Sequence, residues 1–189
     1  MKHKRTLAVL VENKPGVLDR VSSLFRRRGF NIDSLTVGRT ENSELSRMTI
    51  VVDGCPKRLE SQLRKLINVV SIEDVTEVPN LSRDLALVKV SVNSETRSEV
   101  LQMCEIFRAN VVDVNPESLI LEITGTEDKI WALVEMLQPF GILGMVRTGV
   151  VAMARGTRAI STQDYKPRPY RNGKTPQPFL ATSNGKFVV

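Results

Sequence analysis

The order in which hydrophobic periods follow one another, and the recurrence of that order, constrains this chain most. Residues 6–11 are a short, nearly continuous apolar run and predict a buried strand. From Val17 the period changes, and Val17, Leu18, Val21, Leu24 and Phe25 fall on one helical face. Arg26, Arg27 and Arg28 ahead of Gly29 predict the end of that helix, with cations where the dipole favours them and glycine at the C′ position. The triple arginine reads as a solvated helix end rather than a nucleic-acid site. Residues 31–39 predict a second strand and 40–44 a turn. Residues 46–52 alternate, with Met48, Ile50 and Val52 on one face and Arg47, Thr49 and Val51 on the other. After the break at Asp53-Gly54-Cys55-Pro56, Leu59, Leu63, Leu66 and Ile67 predict a second helix, and residues 69–77 a fourth strand. The order is βαββαβ.

The same order then repeats. Residues 85–92 predict a strand; Val100, Met103, Cys104 and Phe107 a helix; residues 111–114 and 118–124 two strands around Asn115-Pro116. Ile130, Leu133, Val134 and Leu137 predict the second helix, and residues 142–153 hold the last strand. The expected organisation is one domain over residues 1–78, a linker over 79–84, and a second domain over 85–156. Residues 157–189 are rich in Pro, Lys, Arg and Asn without any period, which predicts a disordered tail. Domains of about 70 residues bury limited cores and expose sheet edges, so tight association is expected.

Charge belongs to the tail. The net charge is +6, yet from Arg155 onward seven cations face Asp164 alone, so residues 1–154 are formally neutral. The high pI therefore does not argue for a nucleic-acid-binding body. The histidine count is one, at His3, which removes most His-based catalysis and metal binding. No phosphate-binding loop pattern occurs. Cys55 and Cys104 read as reduced, partly buried thiols. The carboxylate pairs Glu73-Asp74 and Glu127-Asp128 are expected to be exposed. No apolar run approaches the roughly 18 residues of a membrane span, and no signal-peptide core follows the basic start. The expectation is a soluble protein that is not exported, without catalytic or metal-binding residues.

What remains is the stretch Asn13-Lys14-Pro15-Gly16-Val17-Leu18 between the first strand and the first helix. A helix N-terminus there offers unbonded N–H groups and a positive dipole end, suited to a carboxylate. Gly16 allows a ligand close to the backbone, and Pro15 fixes the turn. Asn13 and Asn31 can each donate and accept, while Val17 and Leu18 offer an apolar wall. These features suit a small zwitterion with an aliphatic side chain. The plain alternative is a connection that uses Pro and Gly for shape alone.

Several motifs carry a resemblance. ENKPGVLDRV at 12–21, RGFNIDSLTV at 28–37 and LSRMTI at 45–50 resemble the ACT domain of the small, regulatory subunit of acetohydroxyacid (acetolactate) synthase. VKV at 88–90, EIFR at 105–108, VDV at 112–114, EITGT at 122–126 and RTGVVAMARG at 147–156 resemble that subunit's C-terminal domain. The resemblance implies an α+β chain of two tandem ferredoxin-like βαββαβ domains. It implies no chemistry in this chain, but association with a thiamine-diphosphate-dependent catalytic subunit, whose activity the chain raises and makes sensitive to valine in branched-chain amino-acid biosynthesis. Thiamine diphosphate, Mg²⁺ and FAD are expected in the catalytic subunit and no cofactor here. The implied effector site lies between the ACT domains of a homodimer and takes in Asn13, Lys14, Pro15, Gly16, Val17 and Leu18, with Asn31 and Ile32 facing them. The matching place in the second half, Asn93 to Thr96, lacks the Pro-Gly turn, so no such site is expected there. A bacterial-type cytoplasm is implied, a plastid stroma being the alternative.

Three rivals stand beside this reading. A free-standing amino-acid sensor would act on another enzyme or a transcription factor. An RNA-recognition module shares the βαββαβ order but needs aromatics on its central strands, and residues 31–37 and 46–52 contain none. An enzyme would need a catalytic set that is not legible here. No nucleic-acid or membrane partner is expected.

Overall fold

The computed structural model describes residues 4–54, 56–157 and 160. The described residues divide into two compact units, one built on residues up to Asn80 together with 153–157 and 160, the other Leu81–Ala152.

The first unit runs β1 (Lys4–Glu12), α1 (Val17–Arg28), β2 (Ile32–Arg39), β3 (Leu45–Asp53), α2 (Pro56–Leu63) and β4 (Val69–Asp74). Its four strands form one antiparallel sheet in the order β2-β3-β1-β4, so β2 is an edge strand. Alternation places Leu7, Val9 and Val11 of β1 beside Met48, Ile50 and Val52 of β3 on the face covered by the helices. The stripe Val17, Val21, Leu24 and Phe25 of α1 closes over them, each side chain contributing about 1.5–3 kcal/mol by burial. Helix α1 ends as its sequence predicts: Gly29 is left-handed at φ 68°, and its N–H returns to the Arg26 carbonyl.

Two expectations change here. The second helix stops at Leu63. Leu66 reaches the core from a tight turn, its N–H bonded to the Leu63 carbonyl, while Ile67 is 63% exposed. The strand alternation at 46–52 predicts one open face, yet Ala8, Leu10, Thr49 and Val51 on the face away from the helices are also buried.

The second unit runs β5 (Asn80–Ser91), α3 (Arg97–Phe107), β6 (Asn110–Asn115), β7 (Ser118–Gly125), α4 (Glu127–Leu137), a short 3-10 turn (Gln138–Phe140), β8 (Ile142–Arg147) and the start of β9 (Val151–Ala154), with Asn80, Met153 and Ala154 falling in the first unit. Its sheet order is β6-β7-β5-β8, with β9 paired to β5. The expected linker at 79–84 is therefore mostly strand. From Asn80 the side chains already alternate between more and less buried, and this period carries β5 back to Asn80. The expected last strand over 142–153 is two strands, divided near Gly149 at φ 87°. Of the tail expected over 157–189, all but residues 157 and 160 lies outside the described residues.

Candidate functional site

The connection from β1 to α1 is built around Gly16, the N-cap of α1. Its φ of 81° and ψ of −1° are left-handed, a conformation that glycine takes without a Cβ penalty. A Cβ added there would meet nothing within 4 Å, so the space above the turn is open. No side chain caps the helix. The Val17 N–H reaches the Lys14 carbonyl at 3.3 Å and the Arg20 N–H reaches the Gly16 carbonyl at 3.1 Å, while the intervening Leu18 and Asp19 amides have no such partner in the turn. Two adjacent N–H groups at a helix N-terminus form an anion-binding arrangement.

The floor of the turn is rigid. Glu12 is 3% exposed; its Oε2 accepts from Asn68 Nδ2 at 2.6 Å and its Oε1 from Lys14 Nζ at 3.2 Å. Arg20 Nη1 donates to Asn68 Oδ1 at 2.8 Å. Asn13 ties the turn to the β2–β3 connection, its N–H on the Glu44 carbonyl at 2.7 Å and its Nδ2 on the Ser43 carbonyl at 2.9 Å. Glu12, Arg20 and Asn68 were not legible as site residues. The one available signal is a carboxylate closing an apolar strand, which must find partners once buried.

The structure redistributes the expected site residues. Pro15, Gly16 and Leu18 are exposed, and Asn13 and Lys14 half-buried. Val17 is 4% exposed and packs into the core, so Leu18 alone of the expected pair is available as an apolar wall. Asn31 is exposed and Ile32 half-buried, but neither neighbours the turn in the same chain. Ile32 is level with Val52 and thus with Arg5, whereas the turn follows Glu12, which is level with Leu45. Seven strand residues separate those levels, roughly 23 Å at ~3.3 Å per residue. Strand β3 also lies between β1 and β2.

The equivalent turn of the second unit is closed. Asn93 Oδ1 accepts from the Glu95 N–H at 2.9 Å, the Thr96 N–H at 2.8 Å and Thr96 Oγ1 at 3.0 Å, and the Thr96 hydroxyl accepts from the Asn93 N–H. These bonds tie up the residues ahead of α3, while its N-cap Thr96 makes no side-chain cap bond and the Ser98 and Glu99 amides have no backbone partner in the turn. The buried polar group of this unit lies elsewhere: Asp84, 1% exposed, pairs with Arg147 through Nε at 2.9 Å and through Nη2. Asp84 also accepts from Thr148 Oγ1 and the Gly149 N–H, and Arg147 stacks over Trp131 with 5.4 Å to the ring centroid.

A cavity of about 390 Å³ lies in the first unit between Leu10, Leu45 and Arg47 on the sheet and Met153 and Ile160. Burial lowers the Arg47 guanidinium pKa, with Glu73 and Glu41 opposing that shift. The carboxylate pairs are less open than expected. Glu73, Asp74 and Glu127 are half-buried, with Asp74 near Arg5 at 3.8 Å and Glu127 near Arg147 at 3.5 Å. Cys104 is buried, which pushes its thiol pKa up and makes it a poor nucleophile. Cys55 lies outside the described residues. Among the described residues no three His, Cys, Asp or Glu side chains gather as a metal site, and no helix is long and apolar enough to cross a membrane.

Residues 7–77 match the family model for the acetolactate synthase (AHAS) small-subunit-like ACT domain, and residues 83–156 that for the small subunit of acetolactate synthase. The chain belongs to the acetolactate synthase small-subunit family. A probable small subunit from Archaeoglobus fulgidus is 52% identical over 161 residues, covering 84% of this chain and 99% of that one. The small subunit of Mycolicibacterium smegmatis is 52% identical over 158 residues, covering 82% and 93%. The crystal structure of the small subunit from Thermotoga maritima aligns with a TM-score of 0.78 at 40% identity, covering 82% of this chain and 99% of that one. The expected family and the two-domain α+β fold hold, and membership of a small-subunit family implies association with a catalytic subunit.

Proposed function

We propose that the chain activates the thiamine-diphosphate-dependent catalytic subunit of acetolactate synthase and confers feedback inhibition by valine or a close branched-chain amino acid. The observation that carries this reading is the unfilled N-terminus of α1, which pairs the Leu18 and Asp19 amides with an exposed Leu18 side chain above an open glycine. The effector carboxylate meets those amides, and its aliphatic side chain lies against Leu18. Asn31 and Ile32 come from a second copy. The strand β2 is an edge, and pairing it antiparallel with its own copy sets the Ile32 end of one strand beside the Arg39 end of the other. The Arg39 end is the end at which the Asn13–Leu18 turn lies. The effector thus bridges two protomers, and its coupling to the catalytic subunit needs only about 1–3 kcal/mol. Thiamine diphosphate, Mg²⁺ and FAD reside in the catalytic subunit.

The test is acetolactate formation by the catalytic subunit with and without the chain, and with and without valine. The chain raises the rate and valine lowers it again. Gly16→Asp places a carboxylate where the effector carboxylate sits, and Asn31→His disturbs the opposite wall. Both abolish valine inhibition while activation survives. Normal valine sensitivity in both variants would sink the site, and no activation by the wild-type chain would sink the function.

A further inference from the structure

The formally neutral body is not neutral layer by layer. In the first unit, residues 17–28 carry Arg20, Arg26, Arg27 and Arg28 against Asp19, and residues 56–65 carry Lys57, Arg58, Arg64 and Lys65 against Glu60. The two segments are +3 each. The strands and loops of residues 4–80 offset only half of this, with 5 basic against 8 acidic side chains, and residues 81–154 carry 6 basic against 10 acidic. Since α1 and α2 cover the same face of the sheet, and Arg64 and Lys65 directly follow α2, the described cations of these segments lie in one layer.

That surface is poorly compensated from within. Arg64 pairs with Glu60 at 2.6 Å. Arg28 and Arg20 donate to the neutral amides of Gln62 and Asn68. Arg26, Arg27, Arg58 and Lys65 are exposed and take no part in the ion pairs of the described residues. A face kept for solubility mixes signs and draws on Lys and Glu. Here six of the eight cations are Arg, the cation enriched in protein interfaces, where Lys is depleted. The helices of the second unit carry the opposite sign: residues 97–107 hold Arg97 against Glu99 and Glu105, and residues 127–137 hold Lys129 against Glu127, Asp128 and Glu135. The basic layer is thus a property of one unit and not of the fold.

We propose that the α1–α2 face of the first unit is the docking surface for an acidic surface of the catalytic subunit. The inference rests on the function proposed above and adds where the partner binds. The Arg20–Asn68–Glu12 chain then joins this face directly to the floor of the effector turn.

The experiment is the dissociation constant of the catalytic subunit with the full-length chain, by sedimentation or titration calorimetry, at 50 and 300 mM KCl. The comparison variants are R26E/R27E/R58E and the milder R26Q/R27Q/R58Q, which leave the braced Arg20 and Arg28 alone. Wild-type binding weakens several-fold with salt, as screening of exposed charges requires. The Glu variant binds at least tenfold more weakly, the Gln variant is intermediate, and both lose most of the salt dependence while binding valine as the wild type does. Unchanged affinity and salt dependence in the Gln variant overturn the proposal, even where the Glu variant fails to fold. So does loss of binding to a 20-base-pair DNA duplex with unchanged affinity for the catalytic subunit. If the wild type binds in this charge-dependent way but neither activates nor confers valine inhibition, the docking surface stands and the proposed function falls.

Discussion

The two units treat the same local problem differently. Each passes from a buried strand to a helix whose N-cap, Gly16 or Thr96, makes no side-chain cap bond, and each leaves two amides without a backbone partner in the turn, Leu18 and Asp19 in one and Ser98 and Glu99 in the other. In the second unit Asn93 turns its carboxamide oxygen onto the Glu95 and Thr96 amides ahead of the helix and onto the Thr96 hydroxyl, which ties up the approach. In the first unit Gly16 stands at the N-cap with no side chain and open space above it. A side-chain cap is worth about 0.5–2 kcal/mol, and neither helix start has one. The first unit recovers rigidity one layer below, through buried Glu12 between Lys14 and Asn68. One turn carries its own polar brace, and the other leaves the approach to its amides open.

The sharpest test of that division lies in the largest effect. Asp84 is the most buried carboxylate of the second unit, and removing it leaves Arg147 without its main partner. Asp84→Ala should cost about 3 kcal/mol, in line with a broken buried pair. The urea midpoint of unfolding falls accordingly, while valine binding to the folded chain is unchanged. A loss of valine affinity as large as the loss of stability would end the view that the polar network of the second unit serves architecture and that of the first serves the ligand.

Closing the open turn comes next. Gly16→Asp supplies a capping carboxylate, and the left-handed backbone charges about 1 kcal/mol for it. The effector carboxylate is displaced, and the valine concentration for half-inhibition rises at least about 100-fold, some 2.7 kcal/mol. Gly16→Ala adds the backbone strain without the carboxylate, and its effect on valine should be far smaller. Equal losses in the two variants would assign the effect to strain.

These contrasts mark how far the sequence could be read. The strands and helices follow from periods of two and 3.6, and the glycine that ends α1 from its three preceding arginines. The Pro-Gly turn was visible as a ligand-suited connection. Three things depend on how strands are laid side by side, which no local pattern encodes. Asn31 opens the strand after the turn's helix, but α1 returns the chain to the end where β1 begins, so Asn31 lies at the far end of the sheet from the turn, with β3 between β1 and β2. Asp84 and Arg147 are 63 residues apart and meet because β5 pairs with β8. The basic surface of α1 and α2 vanishes when charge is summed along the chain, because the compensating carboxylates lie in the strands and loops of the first unit and in the second unit. Val17 was misplaced for a smaller reason: it begins the helical stripe and so belongs to the core, while its neighbour Leu18 turns outward.

Opening the closed turn is the converse experiment. Asn93→Ala removes the acceptor of two amides and should cost about 1 kcal/mol of stability. It should not create a valine site. The Thr96 Oγ1 still accepts from the Asn93 N–H, no left-handed glycine opens the approach, and Arg97 is held by the carbonyls of Asn115 and Pro116. A second valine equivalent in calorimetry of Asn93→Ala would show that clearing the approach to a helix start suffices, and that Gly16 and its braces are incidental.

The smallest effect probes those braces. Glu12→Gln preserves the size of the side chain and keeps an oxygen for Asn68 Nδ2, but removes the charge beside the Lys14 ammonium. Glu12 does not touch the proposed ligand position, so its influence must pass through the posture of Lys14 and of the Asn13–Leu18 backbone. A neutral hydrogen bond replaces a charge-assisted one, a difference of about 0.5–1.5 kcal/mol where the site is half-buried. Part of that is absorbed as stability, which leaves roughly a two- to fivefold weakening of valine with the activation of the catalytic subunit intact. Glu12→Asp separates the two contributions, since it restores the charge while shortening the reach to Asn68. If Asp rescues valine affinity and Gln does not, the charge on Lys14 is what holds the turn. If neither rescues it, the contact to Asn68, and through it to Arg20 on the helix face, is the one that matters.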